Sequence, residues 1–325
     1  MDKQHLLGLE VPVSKAVLGT MTFGDTADEA ASAAMLDAAL AAGVTVIDTA
    51  NGYAGGASEE ILGRLLRNRQ AEVILATKAG MPHEDAGNHS PLSAAGLRAS
   101  LDGSLRRLGR ESVDLFYLHQ PDRAVSLTET MTTIAELVDE GKIKTIGVSN
   151  YAAWQISEVN VVADQVGAPR PIIGQQLYNL IARRIEEEYS EFAQATDLHT
   201  MVYNPLGGGL LTGRHSYEAA ADSGRFADSR LADMYRQRYW DQQLFAAVAE
   251  LAKIAATAEM SLVELSFRWL LSRPVTGSVL LGGSKPAQLL LNLELLGNGP
   301  LGQDIVDECD AIGATLRGPM PTYNR

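Results

Sequence analysis

Eight times along this chain a short apolar run gives way to a stretch of helical period, and that alternation limits the fold more than any other feature. The runs at 16–19, 44–48, 72–78, 113–119, 143–150, 172–177, 199–203 and 278–281 read as strands. Helical patterns fill 28–42, 58–67, 93–108, 127–140, 152–164 and 186–196, then 241–258 and 261–271 before the last strand, and 304–316 after it. Continuously apolar strands are covered on both faces, and strict alternation with helices implies a parallel sheet. Eight such units predict a closed (β/α)8 TIM barrel of class α/β. No GxGxxG follows the first strand, which argues against an open doubly wound sheet. Gly8-Leu9-Glu10 reads as the turn of an opening hairpin, and Ser58 and Ser126 as helix caps. The long stretch 204–238, rich in Gly, Arg and Tyr, reads as an irregular loop beside the mouth.

At 325 residues, length alone suggests about two domains. Barrels run this long as one unit, however, and no Pro-rich linker or repeat divides the sequence. One domain over 1–325 is expected. Hydrophobic residues at 46% and charged residues at 21% describe an ordinary globular chain. Lys plus Arg number 27 against 40 for Asp plus Glu, a net charge of −13 that repels nucleic acid and anionic membranes. Any phosphate-bearing ligand must then be held by local cations and backbone amides. No uncharged apolar run approaches the roughly 18 residues of a membrane span, and residues 1–13 carry no leader pattern. A soluble, cytoplasmic protein without nucleic-acid or membrane partners is expected. The lone Cys309 excludes an internal disulfide, and no HExxH pair occurs, so no metal is expected.

Polar residues collect where the predicted strands end: Asp48-Thr49, Lys78, His119, Ser149-Asn150, Gln175, Tyr203 and Gly282-Gly283-Ser284-Lys285. A barrel presents its site at those ends, and residues on so many strands converge only if it closes. Singly, each has a plainer reading: Lys78 a surface lysine, His119 a satisfied histidine, Asp48 and Lys78 a structural ion pair. Lys78 could also form a Schiff base, but Tyr53 then has no role. Neither a GxSxG elbow nor a Walker loop at 207–209 is present.

The segments "GTMTFG" (19–24), "DTANGYAGGASEEILG" (48–63), "ATKAG" (76–80), "DLFYLHQPD" (114–122) and "GVSNY" (147–151) resemble the aldo-keto reductase superfamily. "QQLYNL" (175–180), "YNPLGGGLLTGR" (203–214) and "LGGSKPAQLLLNL" (281–293) continue the likeness over nearly the whole chain, in order. "FADSRLADMYRQRYWDQQLF" (226–245) and "PTYNR" (321–325) are similar to the aflatoxin aldehyde and succinic semialdehyde reductases. The resemblance implies Tyr53 as the acid that protonates a carbonyl oxygen, Lys78 as the cation that lowers its pKa, Asp48 as the partner of Lys78, and His119 as the group orienting the substrate. Relatives that reduce carbon–carbon double bonds carry glutamate at the histidine position, so carbonyl reduction is favoured.

The same resemblance implies a nicotinamide cofactor. Ser149, Asn150 and Gln175 would hold its carboxamide, and Tyr203 would stack on its ring. Gly19, Thr20, Met21 and Asp48 would line the same end. Asn204, Pro205, Leu206, Gly207 and Gly209 would approach the pyrophosphate, with Arg214 as a cation. Gly282, Ser284, Lys285, Gln288 and Asn292 would meet the adenosine end, though Leu291 departs from the Gln or Glu usual there. Residues 281–291 contain no acid, while Ser284 and Lys285 suit a 2′-phosphate, so NADP (NADPH) is favoured over NAD. Met21, Phe23, Tyr53, His119 and Trp240 would line the pocket for a small-molecule carbonyl substrate, Trp240 being read equally as ordinary packing. Arg225, Arg238 and Arg325 would offer bidentate contacts to a substrate carboxylate. A monomer or homodimer is expected. A second reading stays open: an NADPH-binding regulatory or redox-sensing subunit with little turnover.

Overall fold

The computed structural model describes residues 1–67, 69, 72–219, 221, 224–227 and 229–318. Strands β1 (Lys3–Gln4) and β2 (Val13–Ser14) form an antiparallel hairpin ahead of the barrel, its turn at Leu7-Gly8 rather than 8–10. Eight parallel strands then close: β3 (Ala16–Gly19), β4 (Val46–Asp48), β5 (Ile74–Ala79), β6 (Val113–Leu118), β7 (Ile143–Ser149), β8 (Ile173–Leu177), β9 (His199–Tyr203) and β10 (Ser278–Leu281). Neighbours follow chain order, and β10 pairs with both β9 and β3 to seal the cylinder. Helices α1 (Glu29–Ala41), α2 (Ala57–Leu66), α3 (Ala94–Leu108), α4 (Leu127–Asp139), α5 (Ala153–Val166) and α6 (Tyr189–Ala195) alternate with the strands. After β9 come α7 (Ala232–Tyr239), α8 (Gln242–Thr257) and α9 (Leu262–Leu271), and after β10 come α10 (Pro286–Leu296) and α11 (Gln303–Thr315).

A strand's side chains alternate between faces, so a parallel barrel sorts each strand into a lumen set and an outer set. Val17, Val46, Ile74, Ala76, Leu115, Tyr117, Ile173 and Met201 pack together in the lumen. Leu9 and Val13 of the hairpin region join them and close the N-terminal end. The outer set, with Leu18, Ile47, Leu75, Phe116, Val148 and Val202, packs against the helices. At that closed end, buried His199 lies 3.2 Å from Gln4 Oε1 and 3.0 Å from Ser278 Oγ. Among the described residues no helix is long and apolar enough to cross a membrane.

Three expectations change. Ser58 is not a cap: α2 opens one residue earlier behind left-handed Gly56, and the Ser58 hydroxyl donates inward to the Thr20 carbonyl oxygen at 2.9 Å. Ser126 does cap α4, accepting from the Glu129 amide. The stretch 204–238 is not wholly irregular, because α7 forms where Tyr235 and Tyr239, one helical turn apart, bury their rings among charged neighbours. Helix α10 had no clear sequence signal: Leu289 and Leu293 are buried while Leu290 and Leu291 are exposed, so leucines on both faces blur the period.

Lumen packing is tightest where Gly147 admits the Tyr117 ring, since an added Cβ would lie 2.4 Å from Tyr117 Cε1. Gly147→Ala should therefore lower unfolding stability by about 1–3 kcal/mol, read as a lower urea midpoint at unchanged slope. An unchanged midpoint would mean that the Tyr117 ring moves aside freely.

Candidate active site

Continuing each strand's lumen parity past its last apolar residue gives Gly19 after Val17, Asp48 after Val46, Lys78 after Ala76, and His119 after Tyr117. It gives Gln175 after Ile173, Tyr203 after Met201, and Gly282 after Leu280. A period of two thus turns these residues inward at one end of the cylinder. Asp48, Lys78, His119, Ser149 and Gln175 are all buried there.

At the centre sits the Lys78 ammonium. It is paired with Asp48 Oδ1, donates to the Thr49 carbonyl oxygen at 2.8 Å, and lies 3.1 Å from the Tyr53 hydroxyl. Three partners around one ammonium match its three donors. The second Asp48 oxygen accepts from Gln175 Nε2 at 2.9 Å. Tyr53 arrives on the turn after β4, and its ring meets the His119 ring edge-on with centroids 6.0 Å apart. The structure therefore brings the four expected catalytic residues together. The Lys78 bond to the Thr49 carbonyl oxygen and the Gln175–Asp48 bond are additions that no sequence pattern announced.

The electrostatics modify one expectation. Burial pushes the Tyr53 phenol above its ordinary value; Lys78 pulls it down, but not by enough to reverse the shift. Tyr53 is thus a neutral phenol at neutral pH, with the cation placed to meet negative charge as it develops. Burial also pulls Lys78 down, yet Asp48 and then Tyr53 more than offset it, so its ammonium is held on. Burial raises Asp48 against the pull of Lys78. His119 is depressed to about 3 by burial and then by Lys78, and its Nδ1 is buried without a hydrogen-bond partner. The imidazole is neutral at any ordinary pH.

Asn150, left-handed at φ 63°, donates from Nδ2 to the His119 carbonyl oxygen and to Ser149 Oγ, each at 3.0 Å. The Tyr203 hydroxyl donates to Asn150 Oδ1 at 2.6 Å. Burial pushes Tyr203 up to about 12, with nearby Arg238 pulling the other way. Farther along the rim, Gly207, Gly208 and Gly209 all have positive φ (57°, 69° and 111°), a conformation that glycine adopts without strain. The Gly207 amide donates to the Asn204 carbonyl oxygen at 3.0 Å. Helix α10 opens at Lys285 without a side-chain cap, while Ser284 and Gln288 bond each other. Asn292 is buried on α10. Pro205 and Leu206 are half-buried, and Arg214 bonds His215.

Several assignments move. Thr20 is buried, and its hydroxyl is occupied by the Asp48 carbonyl oxygen and Ser58. Phe23, expected in the substrate pocket, is fully buried in the outer core and presents no surface to a ligand, whereas Met21 is half-exposed. Trp240 packs in an aromatic cluster with His215, Phe226 and Phe245. Arg225 donates to Asn204 Oδ1 and to the Tyr235 hydroxyl, and an added Cβ on Gly282 would lie 3.6 Å from its Nη2. Its contacts are therefore with the residues assigned to the cofactor. Arg325 and the rest of 321–325 lie outside the described residues.

Two buried neutral histidines, His119 at about 3 and His199 at about 4, tie stability to pH. The unfolded chain takes up their protons near pH 6.5 and the folded chain does not, so stability is full above that value and falls as pH drops. Between pH 7 and pH 5 each should cost about 2 kcal/mol in urea unfolding. A flat profile would show that both titrate normally, and a fall of only about 2 kcal/mol in total that one of them does.

A model of the aldo/keto reductase family matches residues 15–314. The chain is 37% identical to the human protein named aldo-keto reductase family 7 member A3, across 95% of this chain and 96% of that one. It is 35% identical to aflatoxin B1 aldehyde reductase member 2 of Rattus norvegicus, across 95% and 87%. Among solved structures, a glycerol dehydrogenase from Gluconobacter oxydans superposes with a TM-score of 0.81 at 28% identity, covering 100% of this chain and 98% of the other. With matching residues in order around a closed barrel, the chain belongs to the aldo/keto reductase family of oxidoreductases.

Proposed function

We propose that this protein reduces aldehydes to alcohols with NADPH, acting as one catalytic barrel in which Tyr53 supplies the proton. The observation that carries the reading is Lys78 Nζ, held between Asp48 and the Tyr53 hydroxyl at 3.1 Å, with neutral His119 beside them. A bound dihydronicotinamide supplies a hydride to the carbonyl carbon. Negative charge then develops on the carbonyl oxygen, and the protein's task is to neutralise it. Tyr53, a phenol at neutral pH, gives up its proton to that oxygen, and the phenolate left behind faces the Lys78 ammonium. Asp48 keeps Lys78 charged and in place, and Gln175 steadies Asp48. With its proton on Nε2, His119 donates a hydrogen bond to the same oxygen, and as a neutral imidazole it holds no imidazolium proton to give. The aldehyde reductases among its relatives support this substrate class.

The rim suits the cofactor. Left-handed glycines at 207–209 let backbone approach closely, and α10 opens beside Lys285 with no side-chain cap. Arg225 sits against Gly282, so it serves here as a phosphate cation rather than as a ligand for a substrate carboxylate. Ser149, Asn150 and Tyr203 form one linked group at the nicotinamide end. Ser284 and Lys285 would meet a 2′-phosphate.

Wild-type protein should consume NADPH with a panel of 4-nitrobenzaldehyde, succinic semialdehyde and a dicarbonyl. Tyr53→Phe should lose about 10²–10⁴-fold in kcat while binding NADPH normally. Binding without turnover on any aldehyde would favour a cofactor-sensing subunit. Lys285→Met should weaken NADPH about tenfold and leave NADH unchanged. Equal losses for both would remove the 2′-phosphate contact.

A further inference from the structure

The turn that delivers Tyr53 is unusual in its backbone. Ala54 (φ 51°, ψ 34°), Gly55 (φ 63°, ψ 35°) and Gly56 (φ 94°, ψ −14°) are successive left-handed residues, and alanine occupies that region at a cost of about 1 kcal/mol. Besides its own backbone hydrogen bonds, the turn has a support from outside.

That support comes from Arg107 in the last turn of α3. Its side chain lies directly against Gly56, where an added Cβ would be 2.9 Å from Arg107 Cδ. Its Nε donates to Glu59 Oε2 at 2.8 Å, in the first turn of α2. Its Nη1 and Nη2 grip both oxygens of Asp85, at 3.0 and 2.6 Å, in the loop after β5. The other Glu59 oxygen accepts from Thr77 Oγ1, on the residue before Lys78. Side-chain exposure is 9% for Arg107, 0% for Glu59 and 8% for Asp85. Such a buried charge cluster adds little stability over apolar residues of equal volume, but it fixes geometry strictly. One guanidinium thus joins the far side of the Tyr53 turn to the strand carrying Lys78.

We propose that Arg107 is a positioning residue: by clamping Gly56 and Glu59, and through Glu59 the Lys78 strand, it sets the separation between the Tyr53 hydroxyl and the Lys78 ammonium. The proposal rests on Tyr53 being the proton donor. Arg107 acts from behind the turn, its guanidinium spent on Glu59 and Asp85. The charged and titratable groups around the Tyr53 hydroxyl are Lys78 and Asp48, Tyr117 on β6, Tyr203 on β9, Tyr235 on α7 and the His119 ring. A longer Tyr53–Lys78 distance would leave the phenolate less stabilised.

The test compares Arg107→Met, Arg107→Lys, Asp85→Asn and Tyr53→Phe in the full chain, well below each variant's thermal midpoint. It reads kcat and KM for 4-nitrobenzaldehyde, KM for NADPH, and the pH profile of alcohol oxidation, in which the Tyr53 phenolate is the base. Arg107→Met should lower kcat about tenfold or more, with both KM values within about twofold. The rising limb of the oxidation profile should move up by about half a pH unit or more. Arg107→Lys should fall in between, because one ammonium cannot reproduce the fork across two carboxylates. Asp85→Asn should shift both readouts the same way by less. Variants with lowered midpoints but wild-type kcat and limb position would overturn the proposal and leave Arg107 a stability residue. If Arg107→Met does not fold, wild-type behaviour of both Arg107→Lys and Asp85→Asn would overturn it equally. Undiminished turnover by Tyr53→Phe would instead remove the proton-donor reading, and the proposal with it.

Discussion

An ammonium placed inside a barrel lumen must be paired, and the Asp48–Lys78 contact is the constraint on which the rest of this site depends. Neither group has solvent to fall back on, since both side chains are fully buried. Removing either partner would leave an isolated charge where water cannot reach, which is far costlier than losing a surface ion pair. The pair therefore orders its neighbours. Gln175 and the Thr49 carbonyl oxygen take up its remaining hydrogen-bonding capacity, and the Tyr53 hydroxyl completes the set around Lys78. The proposed chemistry and local stability share one network, and the neutral states of Tyr53 and His119 follow from its burial.

Charge clusters recur farther out, with a structural role that still reaches the mouth. The guanidinium carbons of Arg183 and Arg273 lie 4.9 and 5.1 Å from the centroid of the Trp269 ring. Asp310 of α11 accepts from the Trp269 indole and from Arg273, while Glu186 accepts from Arg183 and from the Tyr178 hydroxyl. This anchors the segment after β8. From that segment Asn179 Nδ2 donates to the Asn204 carbonyl oxygen at 2.8 Å. Asn204, left-handed at φ 55°, in turn presents Oδ1 to Arg225 and Tyr235. A path of directional bonds thus runs from the C-terminal helix to the rim of the mouth. The Asp25 carboxylate, in the loop after β3, accepts from Ser229 Oγ at 2.9 Å and joins that loop to the segment after β9.

The barrel was readable because its signal is local. Each strand announces itself within a handful of residues, and the eight strands match the observed ones to within a residue or two at most ends. Helix α10 escaped because leucines on both of its faces erase the period, and α7 because its two buried tyrosines sit among arginines. The inward direction of Asp48, Lys78, His119, Gln175 and Tyr203 follows from a period of two carried past the apolar run.

Whatever depends on short-range periodicity was already present in the order of residues: the strands, most of the helices, the end of the cylinder where the polar residues gather, and the side chains facing inward there. The assignments that moved depend on contacts between distant segments. Phe23 is buried because its loop folds onto the outer core, and Arg225 meets Gly282 because the segment after β9 crosses to the loop after β10. Gln175 bonds Asp48 across 127 residues of sequence, and Arg107 reaches Glu59 across 48. No local pattern encodes such pairs, because closure of the barrel and burial of the charges select them together.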